Sequence, residues 1–399
     1  MWKPTNLIEA MLPIFILSLT ICHGVIQYPR VSKSRVYYSF LYSIISTIVF
    51  IVCFIIVHVN YLKESWTNEQ SFLYLINSTA MNFVMFINII VSWVYKNKIL
   101  MINSRIITAE QNLKELGLKI DVHGKYISAI KIAAFWVTYV LFVDLTKVNQ
   151  SSYLTNFTTQ LMITFVIHHG YHVNFLIDLT FVLFIQHMKM RFRSINELLL
   201  DILRLEDNNL AHQIETDYKW AVSRGVSFEK DYMIILQNIK HIHLQLGIMC
   251  RDLTKIYGIP IILTLITAFA NITSMLVFSY TTLMIKQETL TEKIPLLITL
   301  IPWTALFGFK FFLINYDCAE TVCEWKKTGE IIHLIELQAQ DMKLRKEIQL
   351  FSIQIMQNPL KFSPCGLLDL GYYFMREFAA SVTGQVILSI QTHRYPVKR

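Results

Sequence analysis

Four residues in the middle of a long apolar stretch have side chains capable of chemistry: His168, His169, Tyr171 and His172. His168 and His172 are four apart and share one face of a helix, the spacing of two metal ligands on a helix. The plainer reading is polar contact inside a helical bundle, or the wall of a ligand pocket. No Cys, Asp or Glu constellation elsewhere completes an obvious site, so neither a metal nor another cofactor is expected. Asp144, Asp178, Lys131 and Lys310 also lie in or beside apolar stretches, where charge is costly and normally faces the bundle interior or water. Lys131 and Lys310 stand near the inner ends of their stretches and read as snorkelling side chains. Near the carboxyl end, Arg376 and Glu377 precede an apolar frame holding Gly384, Gln385, Ser389, Gln391 and Thr392. Small and polar residues in such a frame suit helix packing or the wall of a water-filled pore.

These residues have to be carried by membrane-spanning helices. The chain has 399 residues, 54% apolar and only 16% charged, against roughly 25% charged in an ordinary soluble domain. About 20 apolar residues in a helix cross a bilayer. Seven stretches meet that length: 37–61, 72–94, 127–145, 160–186, 259–285, 294–314 and 367–392. The expected fold is all-α, a seven-transmembrane helix bundle. An earlier run, Leu7–Ile26, is ambiguous between crossing and a re-entrant or half-buried helix. It is longer than a typical signal core and lacks a small-residue cleavage site.

Lys and Arg concentrate in cytoplasmic loops. With Leu7–Ile26 not crossing, 26 of them fall on one side of the membrane and 7 on the other. The amino terminus is therefore expected to be cytoplasmic and the carboxyl terminus extracellular. The net charge of +8 reads as this topology signal and as attraction to anionic inner-leaflet lipid; no basic-aromatic module points to nucleic acid. None of the six cysteines falls in an outer loop, so reduced thiols are expected. Asn149-Gln-Ser and Asn156-Phe-Thr fall in the outer third–fourth loop and are possible glycan acceptors.

The inner connections are long and carry helical apolar periodicity: Arg193–Asp207, Tyr232–Cys250 and Thr328–Met356. Amphipathic helices in the cytoplasm must bury their apolar faces, against each other or against another subunit. No internal repeat, low-complexity linker or separate soluble domain is visible. No nucleotide loop or nucleophile elbow is present, so no enzymatic activity is expected.

The last third resembles the insect gustatory receptor family. Ile314-Asn-Tyr-Asp-Cys318 through Gly329-Glu-Ile-Ile-His333 is similar to the segment leaving that family's sixth helix. Leu350-Phe-Ser through Pro364-Cys365-Gly366-Leu-Leu-Asp-Leu370 is similar to the approach to its seventh. Ile242 to Leu263, with Gly258 and Pro260, is similar to the approach to its fifth. The family hallmark near the end of the seventh helix is Thr-Tyr, five mostly apolar residues, then Gln-Phe. Here Gly384-Gln385 stands for Thr-Tyr, Gln391 keeps the Gln, and Thr392 replaces the Phe.

The resemblance implies a ligand-gated, non-selective cation channel in which four subunits, identical or mixed, surround one pore. Carried over position by position, the constriction falls on Leu388, Gln391 and Thr392, with Gln385 beside it. A Leu ring could gate by dewetting, and Gln and Thr rings could coordinate partly hydrated cations. The resemblance also implies a ligand pocket in the outer half of the bundle, with His168, His169, Tyr171, His172, Trp303 and Phe307 as its lining. It divides the chain into a cytoplasmic amino-terminal part with a membrane-dipping helix (1–36), helices one to six (37–314), a cytoplasmic anchor helix (315–366), and a pore helix with its tail (367–399). The expected partners are a small-molecule tastant, the lipid bilayer and further receptor subunits; the expected location is the plasma membrane of a taste neuron. The tastant is expected to be bitter or otherwise aversive, because no likeness to the sugar-sensing branch is visible. Two other classes compete. A seven-span metal-dependent membrane hydrolase would use His168 and His172. A G-protein-coupled receptor would need the opposite orientation, against the charge count.

Overall fold

The computed structural model describes residues 4–21, 33–61, 69–118, 121–151, 156–210, 230–284, 290–338 and 341–394. Among these residues the chain is all-helical, without strands. Two short helices come first, α1 (Leu7–Ala10) and α2 (Leu12–Thr20). Then follow α3 (Lys33–Tyr61), α4 (Glu69–Val94), α5 (Lys96–Glu115), α6 (Val122–Ser151), α7 (Phe157–Leu210), α8 (Lys230–Ile256), α9 (Gly258–Met284), α10 (Leu290–Gln338), α11 (Met342–Gln357) and α12 (Tyr372–Arg394).

Among the described residues six helices are long and apolar enough to cross a bilayer: α3, α4, α6, α7, α9 and α10. The seventh expected span, α12, has 23 residues; it is long enough but less apolar than the other six. α3 shows what a lipid-facing helix looks like here. Its outward residues include Ile45, Ile48, Val49, Val52, Ile55 and Ile56, all apolar, as a surface with no water to solvate it requires.

The fourth and sixth expected spans do not end where hydropathy falls. α7 runs unbroken for 54 residues and α10 for 49. Each joins an expected span to its amphipathic extension, because no Pro or Gly interrupts the helical period between them and the extensions bury their apolar faces on one another. Ile195, Leu199 and Ile202 of α7, Ile239, Leu246 and Met249 of α8, Trp325 and Ile332 of α10, and Ile348 and Phe351 of α11 belong to one buried cluster. No helix break therefore separates 314 from 315. The pattern expected over Thr328–Met356 divides instead into the end of α10 and α11, which Asp341 opens by accepting from the Lys343 and Leu344 N–H groups.

Leu7–Ile26 is described as far as Ile21. The nine-residue α2 is too short to cross. Leu7, Ile8, Met11 and Ile14 are buried, and the Leu7 N–H donates to Glu110 Oε2 at 3.4 Å. The Glu110 carboxylate also holds Arg191 Nη2 at 3.0 Å and lies 3.5 Å from His187 Nε2. The amino-terminal segment is thus pinned to a buried polar knot between α5 and α7.

Between α11 and α12 the chain makes a tight turn rather than starting the helix at Leu367. Cys365 and Gly366 both have positive φ, 51° and 71°. Gly371 has φ 151°, a conformation that only glycine adopts without strain, and its N–H donates to Asn315 Oδ1 at 3.2 Å. The Leu370 N–H donates to Phe362 O at 2.9 Å. The turn fixes the foot of α12 to α10.

His243 of α8 is fully buried among aromatic rings. Its centroid lies 4.0 Å from Trp325, 5.2 Å from Phe192 and 5.4 Å from Phe351. Neither ring nitrogen has a hydrogen-bond partner among the described residues. Burial pushes its pKa from 6.5 down to about 3. The fold therefore holds the neutral ring. The unfolded chain takes up a proton below about pH 6.5 that the folded chain refuses, so this stability is complete above that pH and lost as pH falls, by about 1.4 kcal/mol per unit. Lowering the pH to 5 is expected to cost about 2 kcal/mol at this residue. His243→Leu is expected to raise the thermal midpoint at pH 5 more than at pH 7.5, measured by unfolding of the detergent-solubilised protein. An equal shift at both values would refute the assignment.

Candidate functional site

α7 positions the central residues, and its approach to α4 sets their height. A Cβ added at Gly170 would stand 2.9 Å from backbone atoms of both Met81 and Asn82 on α4. Only glycine allows the two backbones so close. The contact is locked by polar bonds: Ser78 Oγ donates to Ile167 O at 3.0 Å, Asn174 Nδ2 to Met81 O at 2.9 Å, and Asn88 Nδ2 to Asn174 Oδ1 at 2.9 Å. His168, His169, Tyr171 and His172 flank this crossing and are all buried.

His168 and His172 face α6, where Asp144 stands between them. His168 Nδ1 lies 2.7 Å from Asp144 Oδ1, and His172 Nε2 lies 3.3 Å from Asp144 Oδ2. The exposures are 1%, 4% and 6% for His168, His172 and Asp144. Aromatic rings close around the trio. Trp303 of α10 is 4.9 Å from His168 and 5.1 Å from Tyr171, and Tyr171 is 5.9 Å from Phe307. Trp136 of α6 meets His172 edge-on at 5.7 Å. The Tyr139 hydroxyl donates to Pro302 O at 2.5 Å, tying α6 to α10.

The structure thus brings together five of the six residues expected in the pocket: His168, Tyr171, His172, Trp303 and Phe307. His169 points the other way and stacks flat on Phe50 of α3, with centroids 3.5 Å apart and 5° between the planes. His168, Tyr171 and His172 stand at i, i+3 and i+4 and centre on one face, and His169 projects about 100° from the middle of that face, toward α3. Asp144 was visible as an in-span acid but without a partner; two in-span histidines one turn apart needed one.

Lys310 does not snorkel. Its ammonium lies 2.9 Å from Asp178 Oδ2, with both side chains buried, and Thr264 Oγ1 donates to the same carboxylate at 2.9 Å. A lysine whose partner lies inside the bundle has no reason to reach for the interface. Lys131 is exposed, as a snorkelling side chain would be.

α12 packs one stripe inward. Val382 is buried with Trp303, Phe307 and Tyr171 in one apolar cluster, to which Phe378 and Val386 are added. Phe378 also stacks on Phe311 of α10 at 3.9 Å. The adjacent stripe is exposed: Ser381, Gly384, Gln385, Leu388, Gln391 and Thr392, with Leu388 at 53%. Arg376 and Glu377 are exposed as well, 3.4 Å from each other. Of the two possible glycan acceptors, Asn156 is exposed just before α7, and Asn149 falls within the last turns of α6, its side chain outside the described residues.

A family model of the 7tm Chemosensory receptor matches residues 14–394. The chain belongs to that family. The receptor is 21% identical over 165 residues to the gustatory receptor for sugar taste 43a of Drosophila melanogaster, a match covering 41% of this chain and 38% of that relative. The chain thus matches well under half the length of this curated relative. In fold it is similar to the olfactory receptor OR5 from Machilis hrabei, at 11% identity and a TM-score of 0.63, covering 95% of this chain and 97% of the other. It is also similar to OR5 in complex with eugenol, at 13% identity and a TM-score of 0.57, covering 97% and 98%. The receptor therefore has the seven-transmembrane fold of the insect olfactory receptors, with α12 as its seventh span despite its weaker apolarity.

Replacing Gly170 by Ala in the receptor forces α4 and α7 apart. Overpacking of this kind costs about 1–3 kcal/mol. The thermal midpoint of Gly170→Ala is expected to fall by several degrees relative to wild type; an unchanged midpoint would mean that the two helices have room to spare.

Proposed function

We propose that this chain is a gustatory-type receptor subunit, a ligand-gated cation channel in which four chains surround a pore lined by α12. The observation that carries this reading is the contrast between two exposed surfaces. From Ile44 to Val59 the exposed residues of α3 are all Ile or Val, suited to lipid. The outward stripe of α12 holds Ser381, Gly384, Gln385, Gln391 and Thr392 around Leu388. In hydrocarbon such a stripe is costly; against water or a second subunit it is not. Leu388 would then form the apolar constriction, with Gln391 and Thr392 as polar rings beyond it and Gln385 before it.

The ligand is proposed to bind among His168, Tyr171, His172, Trp303 and Phe307, with Asp144 as a polar anchor. Flat aromatic faces beside a carboxylate and two imidazoles suit a small molecule with one apolar face and at least one hydrogen-bond donor. The expectation of a bitter or aversive compound rests on the lack of a likeness to the sugar-sensing branch, and the relative named for sugar taste removes that ground; sugars are therefore to be tested on an equal footing with aversive compounds. Coupling to the gate would be direct, since Val382, Phe378 and Val386 of α12 belong to the same apolar cluster as Trp303 and Phe307. A ligand that moves either ring repacks the seventh helix. The amino terminus is proposed to be cytoplasmic, the carboxyl terminus and Asn156 extracellular, in the plasma membrane of a taste neuron.

Two measurements test this. Leu388→Cys and Gln391→Cys in assembled receptors are expected to react with a membrane-impermeant thiol reagent and to lose ligand-evoked or basal current. Val382→Cys is expected to stay unreactive. Reaction at Val382 in preference to Leu388 would reverse the assignment of the pore face. Separately, a glycan acceptor introduced after Arg394 is expected to be modified and one placed at Asp207–Trp220 is not. The opposite pattern would put the amino terminus outside and end the channel reading.

A further inference from the structure

We propose that Asp144, His168 and His172 form a binding site for one borderline divalent transition-metal ion, Zn2+ in the first instance. A metal was not expected from the sequence because nothing along the chain placed a third ligand beside the two histidines; α6 brings Asp144 there. Each residue offers one donor atom, and the three donors lie within 4.8 Å of one another. Ligands about 2.0–2.2 Å from Zn2+ at tetrahedral angles stand roughly 3.4 Å apart. The 3.3 Å between His172 Nε2 and Asp144 Oδ2 already matches. The 2.7 Å from His168 Nδ1 runs to the other carboxylate oxygen, Oδ1, so one ion either takes both oxygens of Asp144 or follows a small rotation of the carboxylate that keeps the three donors inside the 4.8 Å they already span.

The donor chemistry selects the ion. Two imidazole nitrogens and one carboxylate suit Zn2+, Cu2+ or Ni2+, whereas Ca2+ and Mg2+ want oxygen ligands. Lys147 lies within electrostatic reach of His168, a positive neighbour that any bound cation, Zn2+ included, has to outweigh through its bonds to the imidazoles and the carboxylate. Without the ion, ring N–H groups donate to Asp144. With it, the ion takes the place of those hydrogens, and each neutral ring carries its proton on the other nitrogen, Nε2 of His168 and Nδ1 of His172. No net proton has to leave. Three protein ligands leave a fourth position for water or for a donor group of a bound small molecule. Trp136 and Trp303 shield the site.

Glu110 and His187 approach to 3.5 Å, but Arg191 occupies the same carboxylate oxygen at 3.0 Å. A fixed guanidinium there excludes a second cation. No arginine contacts Asp144 among the described residues.

The site stands on its geometry whether or not the chain conducts ions, and no hydrolytic step is assigned to it. The test uses the full chain, purified in detergent without a histidine tag and stripped with chelator. Zn2+ is titrated by calorimetry, and Co2+ is added in parallel as an optical probe of four-coordinate geometry. The expected result is one ion per chain, with the four-coordinate Co2+ spectrum. Binding is expected to weaken at least tenfold in His172→Ala, in His168→Gln and in Asp144→Asn, and to be unchanged in His169→Ala and His187→Ala. The three ligand variants are independent, so any one that elutes as folded protein is a sufficient test. Absence of binding by folded wild type at millimolar Zn2+ would overturn the proposal. So would binding that survives in a folded ligand variant, because the ion would then sit on exposed histidines such as His241 or His333.

Discussion

Inside a bilayer no water solvates a polar side chain, so each one in a spanning helix has to find its partner within the bundle. α7 carries most of them. Ser78, Asn88 and Asn174 bond across the α4–α7 crossing, Asp144 receives His168 and His172, Asp178 receives Lys310 and Thr264, and, past the expected end of the span, Glu110 receives Arg191. These partners come from α4, α5, α6, α9 and α10. They fix the height and rotation of those helices against one central element more sharply than apolar contact can, since lipid tails are as apolar as the side chains they would replace.

The same helix leaves the apolar region and continues as part of a second assembly. In the extension its apolar stripe is covered by α8, α10 and α11 around Phe192, Trp325 and Phe351. The driving force changes along one element: polar pairing where water is absent, hydrophobic burial where it is present. α10 has the same double character, with Trp303, Phe307 and Lys310 in one half and Trp325 in the other. Because α7 and α10 are both continuous, a displacement in the aromatic cluster has a rigid path to the extension. It has a shorter one, through Val382 and Phe378, to α12.

α12 is held differently. Its foot is fixed by the turn at 363–371, through Gly371 and Asn315, and one stripe packs on α9 and α10. The rest is exposed in a single chain. An element with one anchored end, one packed stripe and one polar stripe leaves that polar stripe uncovered in the single chain, and the proposed pore would cover it with water and further copies. This is why the channel reading depends on α12 more than on the pocket.

The amino-acid sequence by itself determined the helical class, the position of the six apolar spans, the amphipathic extensions and the in-span polar residues. These follow from hydropathy and period, which are local. It also singled out His168, His172, Asp144, Asp178 and Lys310 as out of place in apolar surroundings. What it could not decide was who pairs with whom. Asp144 is 24 residues from His168 and Asp178 is on a different helix from Lys310; a spacing along one chain says nothing of the rotation of two helices about each other. For the same reason His169, one residue from His168, went to Phe50 instead of the cluster, and the seventh helix began at Tyr372 once Gly371 had turned the chain. Local composition sets which groups need partners; only the packing of helices, where each rotation is chosen to satisfy all of them together, decides which partners they get.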